Sequence, residues 1–437
     1  MEHNELRPHQ LLIGTKNRAS GKLSDLDDRD LRYFRSCLKW VCVDQSNRWR
    51  ATLSWAVFLL LVVVVPILSH VLYTCGECDQ KHRRSYDAVV QLQVSLSSFA
   101  TLSFLCLSSW FRKYGLARFL FLDKLSDVSD NVRSGYVVQF KRSIKIHCSF
   151  VIPIFAADAS YKIWWFISGS SEITYFGNIY ASNIIACTLM LSSWLYRTSI
   201  FFLVCILYRL ISHLQLLRMD DYAQVFHKEM EVVSILKEHL GIRRTLRVIS
   251  HRFRAFILST LVLVTATQLA ALLSTLRSTS DANIYKAGEL ALCSISLVSG
   301  LFICLRSSTK ITHRAQSITA LASKWHVCCT IESFDIADRE TPHPNLVNQR
   351  GFDSHYDSED EEEKDGENAL DNTKMMPVYA HTTISFQKRQ AFVTYLENNK
   401  AGITVYGFML DRTWLQTIFC IQLTLLLWLL NKIVGFS

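Results

Sequence analysis

Basic residues in this chain crowd one set of ends of seven apolar stretches, and that asymmetry limits the fold more than any motif. The stretches are 52–73, 87–110, 145–167, 179–211, 253–276, 286–305 and 413–434. Each has the roughly 20 residues that a helix needs to cross about 30 Å of hydrocarbon. The amino-terminal segment and the second, fourth and sixth connections carry 36 Lys and Arg; the other connections and the carboxyl end carry 4. Without the long sixth connection the ratio is 24 to 4. Basic residues are retained in the cytoplasm, so the pattern predicts an all-α polytopic protein with its amino terminus inside and its carboxyl terminus outside. A seven-helix receptor coupled to G proteins has the opposite sidedness, and that class is set aside.

The net charge of +9 would suit nucleic acid, but the cations sit beside spans, where topology accounts for them. No nucleic-acid partner is expected. A polar run containing Asp25, Asp27, Asp28 and Arg29 precedes the first stretch, which reads as a retained signal anchor. Most of the 13 cysteines, including Cys106, Cys187, Cys205, Cys293 and Cys420 within spans, show no framework spacing. Cys75 and Cys78, in an outer connection, leave a local disulfide, free thiols or zinc binding open. No metal or cofactor is assigned.

The chain divides into a cytoplasmic segment 1–51, six spans with cytoplasmic helical extensions over 52–333, an acidic linker 334–384, and a short helix with the last span over 385–437. Phe226, Met230, Val233, Leu236 and Leu240 recur at helical spacing, as do Ile311, Ala315, Ile318, Ala322 and Trp325. Neither run is separated from its membrane helix by Gly or Pro, so helices four, five and six are expected to project into the cytoplasm and pack there. Trp194, Tyr196 and Arg197 read as an inner interfacial belt, which places Arg197 at the boundary. The linker, with Pro342, Pro344 and acids from 353 to 371, has too little apolar surface to order and reads as disordered.

The final segment contains Gly402, Gly407, Phe408, Asp411, Arg412 and Leu415 and resembles the carboxyl-terminal region of insect gustatory receptors. In those proteins a short cytoplasmic helix, a glycine hinge and an Asp- or Asn-bearing turn lead into a pore helix. The whole chain resembles the plant family of uncharacterised seven-helix proteins described as gustatory-receptor-like. Gln422 and Trp428 stand where the insect signature has other residues. The resemblance implies a homo-tetrameric cation channel whose last helices line the pore and whose ligands bind in the outer half of each subunit.

On the last stretch Thr413, Thr417, Cys420, Thr424 and Asn431 form one polar stripe, with Leu423 and Leu427 beside it. Such a stripe can hydrate a pore gated by the leucines, or its threonines can bond the preceding turn. Asp158 and Lys162, one turn apart, neutralise each other inside the third stretch. Tyr161, Trp164, Trp165, Phe176 and Tyr180 surround them, with Gln91 and Glu289 at helix starts nearby. This group reads as a pocket for a small organic ligand, or as an interfacial aromatic belt.

No metalloprotease, phosphate-loop or nucleophile-elbow motif occurs, and an enzyme is not expected. The preferred reading is a ligand-responsive oligomeric cation channel in the lipid bilayer, at the plasma membrane or an endomembrane. The rival is a transporter or scaffold of the same seven-helix fold, for which Pro66 and Pro153 supply possible kinks.

Overall fold

The computed structural model describes residues 48–73, 86–114, 130–167, 179–224, 226, 232–277, 284–338 and 386–434. These are nearly all helical. In chain order they form α1 (Arg48–Leu59), a π-helical turn (Leu60–Val64), α2 (Val65–Tyr73), α3 (Tyr86–Tyr114), α4 (Asp130–Ile167), α5 (Ile179–Gln224), α6 (Val232–Arg277), α7 (Ile284–Asp338) and α8 (Phe386–Asn398). A hairpin of β1 (Thr404–Val405) and β2 (Phe408–Met409) then leads into α9 (Arg412–Val434).

None of the chain's six prolines falls in α5, α6 or α7, which run unbroken for 46, 46 and 55 residues. At 1.5 Å per residue they reach about 69, 69 and 82 Å, at least twice a hydrocarbon core. Among the described residues six helices are long and apolar enough to cross a membrane. α4 contains the predicted third span, in which Asp158 and Lys162 offset each other across one helical turn.

The chain separates into two compact units. The first comprises Met1–Leu217, Val248–Ile311 and Ile403–Ser437. Its core is aromatic, with Phe99, Phe104, Phe201, Phe202, Tyr208, Phe253 and Phe256 fully buried. Gly300 on α7 lets α5 approach closely: a Cβ there would lie 2.3 Å from the Phe201 ring. Near this contact the Tyr208 hydroxyl meets the Ser308 hydroxyl at 2.5 Å.

The hairpin also belongs to this unit. Its two-residue turn has positive φ at Tyr406 (49°) and Gly407 (93°), the left-handed pair that suits the twist of a tight hairpin. The Leu410 amide closes it onto the Ile403 carbonyl at 3.0 Å, and the Arg254 guanidinium lies 5.0 Å from the Tyr406 ring centre. The Leu415 amide donates to the Asp411 carbonyl and starts α9, where the resemblance places an Asp-bearing turn before the last helix.

The second unit comprises Arg218–Arg247 and Thr312–Gly402. Its centre is an aromatic cluster in which Phe226 packs on Tyr222, Trp325 and Phe392 at 5.6 to 6.4 Å. Arg243 donates to Asn399 at 2.8 Å, and Arg314 pairs with Asp220 at 2.6 Å.

The face through Ile311, Ala315, Ile318, Ala322 and Trp325 is buried throughout, as its spacing predicts. The helix expected through Phe226 and Leu240 differs. Over its described range from Val232, α6 buries Val232, Ile235, His239 and Leu246 while Val233 and Leu240 are exposed. Phe226 belongs to the preceding turn and does not set the phase of that helix. Met230 lies outside the described residues, as do Cys75, Cys78 and the acidic run 353–371. α7 continues to Asp338, past the expected start of the linker.

Candidate functional site

A proline sets up the site. Pro66 has no backbone N–H, so the Val62 carbonyl one turn back loses its donor, and with the Val65 amide diverted to the Leu60 carbonyl, Leu61 is left short as well. The chain adjusts by forming the π turn immediately before it. Two serines from other helices then satisfy the freed carbonyls. Ser193 on α5 donates to Leu61 O at 2.5 Å, and Ser97 on α3 donates to Val62 O at 2.9 Å.

Arg197, one turn beyond Ser193 on α5, extends this polar seam. Its Nη1 donates to the Gln93 side-chain oxygen at 2.6 Å and reaches Ser97 Oγ at 3.4 Å; its Nε donates to the Ser193 carbonyl at 3.3 Å. Arg197 and Trp194 are each only 3% exposed, and Tyr196 is buried too. The three residues expected to form a belt are thus covered by the protein itself. A guanidinium with five donors suits this setting better than a point cation, because its planar fork can engage several oxygens at once.

Asp158 and Lys162 pair at 2.5 Å and are both buried. Lys162 Nζ also lies 5.8 Å from the Trp194 ring centre. Asp158 bears electrostatically on Arg197, so one carboxylate serves two interior cations. Ionisable groups inside an apolar bundle are costly unless paired, and such pairs mark functional interiors in membrane proteins.

Beside the seam lies an open, almost wholly apolar groove of about 300 Å³ lined by Val62, Val63, Pro66, Ile67, Val90 and Val94, with Gln93 and Ser97 at its edge. The same two side chains that hold Arg197 thus border this groove. Sequence reading overlooked Gln93, Ser97, Ser193 and Arg197 as site residues. The available signal was polar side chains recurring inside otherwise apolar spans.

Of the other predicted pocket residues, Tyr161 is half-buried and its ring lies 6.3 Å from that of Trp164. Trp164 and Tyr180 are exposed on the outside of the chain. Gln91 turns towards α6 and donates to the Thr267 carbonyl at 3.2 Å. Phe176 lies outside the described residues, as do the side chains of Trp165 and Glu289. Asp158 and Lys162 enter the interior network.

α9 has two unlike faces. Gln422 is buried and donates to Thr265 Oγ1 at 2.8 Å, while its own carbonyl accepts from Gln268 at 3.3 Å. Leu429 packs on Ala271 and Ala291, and Phe419 on Phe302 at 4.9 Å. Thr413, Thr417, Cys420, Thr424, Leu427 and Asn431 occupy the opposite face and are exposed; Leu423 is half-buried. Thr417 and Thr424 each bond the carbonyl one turn back, at 2.9 and 2.8 Å. Among the described residues no cluster of three His, Cys, Asp or Glu forms a metal site.

The sequence pattern of the family described as protein of unknown function, DUF3537, matches residues 29–421. The chain belongs to the DUF3537 family. Among solved structures, this DUF3537 member is similar to the insect olfactory receptor OR5 from Machilis hrabei, at 11% identity and a TM-score of 0.50, over 92% of this chain and 99% of that one. The same receptor in complex with eugenol gives 11% identity and a TM-score of 0.49 over the same shares. No curated protein matches the chain. With six apolar helices of spanning length and the fold of that receptor, the DUF3537 chain is an integral membrane protein.

Proposed function

We propose that this protein is a ligand-responsive, oligomeric cation channel, a homo-tetramer with seven spans, a cytoplasmic amino terminus, an outer carboxyl terminus and α9 lining the conduction path. The observation that carries the reading is the uncovered face of α9. Its row of Thr, Cys and Asn would gain nothing from lipid, whereas water along an oligomer axis would hydrate it. Back-bonding by Thr417 and Thr424 uses their donors and leaves hydroxyl oxygens to accept from water or to meet cations. Leu427, 55% exposed on the same side, is placed to act as a dewetting constriction.

A small organic ligand is assigned to the groove beside Gln93 and Ser97, whose volume lies at the lower end of ligand pockets. Its apolar walls would give affinity, and Gln93 and Ser97 at its edge would link it to Arg197. Binding there would act on the Arg197 and Pro66 contacts that the same side chains make. The plasma membrane is the proposed location.

The test has two stages. Imaging of the purified oligomer is expected to show a central axis lined by α9. Planar-bilayer recording is then expected to give cation currents that change with Leu427→Ala or Thr424→Val. A compact monomer without such an axis would refute the channel and favour a transporter or scaffold.

A further inference from the structure

The hairpin before α9 carries its aromatic residues on the outside. Tyr406 is 54% exposed, Phe408 68% and Trp414 50%, and the rings of Phe408 and Trp414 lie 6.3 Å apart. Tyr406 also holds its φ of 49° at the first central position of a turn that favours Asn or Gly. A bulky side chain is disfavoured in that left-handed region, and such a cost persists where the side chain serves a purpose. Half of this ring is left to meet something outside the chain.

Contacts to α6 fix where the tip stands. The Thr404 amide donates to the Ser250 hydroxyl at 3.1 Å, and the Arg254 guanidinium, one turn further along α6, lies 5.0 Å from the Tyr406 ring centre. Arg254 Nη2 also lies 3.3 Å from Nε2 of the exposed His251. All of these residues belong to the first compact unit. The apolar stretch of α6 begins at Phe253 and that of α9 at Thr413, so the Arg254–Tyr406 contact sets two membrane entries at one level. The tip therefore marks a border between hydrocarbon and water, whichever side of the membrane that border is on.

Aromatic rings and arginine both suit such a border, where apolar faces meet acyl chains and polar groups meet headgroups. A guanidinium resting on a ring still has donors for phosphate oxygens. The adjacent carboxylate, Asp411, accepts the Arg412 amide at 2.8 Å and so caps α9. Trp414 stands about 100° round α9 from Thr413, which puts the tip to one side of the polar face.

We propose that Tyr406, Phe408 and Trp414, with Arg254, form a docking site for a phospholipid of the leaflet in which α9 begins. The rings enter the glycerol and carbonyl layer, and the guanidinium engages the lipid phosphate. Two features select a lipid over a second copy of the chain: the tip continues directly into a helix of spanning length, and its cation calls for an anionic partner. Lipids with a net negative headgroup are favoured for the same reason.

The experiment places the photoreactive residue p-benzoylphenylalanine at position 408 of the full chain, in nanodiscs of equal phosphatidylcholine and phosphatidylglycerol. After irradiation, intact mass reports what has been captured. Both leaflets have the same composition and no current is recorded, so the outcome is independent of sidedness and of conduction. A single phospholipid adduct is expected, enriched about fivefold in phosphatidylglycerol, and Arg254→Gln is expected to keep the adduct while removing the enrichment. Raising salt to 1 M, where the Debye length is about 3 Å, is expected to lower the enrichment with Arg254 in place, which tests the charge without relying on a variant that folds. A cross-linked pair of chains as the main product would assign the tip to a second copy and overturn the proposal. So would the absence of any adduct, or an enrichment that neither salt nor Arg254→Gln reduces.

Discussion

Neutralising Asp158 should destabilise the bundle more than any surface charge change, because it leaves the Lys162 ammonium buried and unpaired. The two side chains are 2% and 4% exposed and 2.5 Å apart, so solvent cannot replace the lost partner. Removing one member of such a buried pair costs about 3–5 kcal/mol. Arg197 adds to the penalty, since Asp158 acts on that cation too. With an unfolding entropy of about 2.1 cal/mol/K per residue, a 437-residue chain converts that loss into a fall in midpoint of about 3–5 °C. Asp158→Asn is the appropriate single variant because it keeps the shape and removes the charge. Asp158→Asn/Lys162→Met removes both charges, and apolar replacement of a whole buried pair is often neutral. The double variant should therefore melt well above the single one. Detergent-purified protein heated in steps and scored by its monodisperse chromatographic peak gives the three midpoints. A single variant as stable as wild type, or a double variant no better than the single, would refute the reasoning.

Ser97→Ala and Ser193→Ala should each cost about 1 kcal/mol, since each strands a carbonyl beside Pro66, and Pro66→Ala should shrink the Ser97 loss more than the Ser193 loss by restoring the one backbone donor that faces Val62. The same heating assay, run as a cycle with Pro66→Ala, reads this coupling. Gly300→Ala should destabilise by about 1–3 kcal/mol, because its Cβ would force the buried Phe201 ring to move. A smaller side chain in Phe201→Leu/Gly300→Ala should recover part of that loss. Gly407→Val should disrupt the hairpin for a different reason: space around it is open, but φ of 93° is hostile to a β-branched residue. Protease nicking between Gly402 and Arg412 would report it, with Gly407→Asn expected to be milder.

The apolar stretches and the phase of Ile311 to Trp325 were legible because burial within one helix follows from spacing alone. The short helix and glycine turn before α9 came from the family resemblance, which places them ahead of the last span, and Gly407 with its φ of 93° shows the backbone reason for the glycine. Arg197 was not. Its burial depends on Gln93 and Ser97, about 100 residues earlier, and nothing local distinguishes a boundary arginine from one paired across helices. The α6 phase was misread because an apolar residue in a turn, Phe226, was counted into the helix. Pro66 was visible as a possible kink, but the serines that complete it come from two other helices. Tyr161, Trp164 and Tyr180 show that aromatic composition identifies a neighbourhood without telling which rings face inward.

Compliance in this bundle is shared unequally. At Gly300 the Phe201 ring of α5 lies so close to the main chain of α7 that sliding one helix past the other would drive the ring into it, which makes that pair a rigid spine. The first helix is built the other way, with a loosened turn held by two side-chain hydroxyls that can let go singly. Bending should start there, with the spine as its fixed reference.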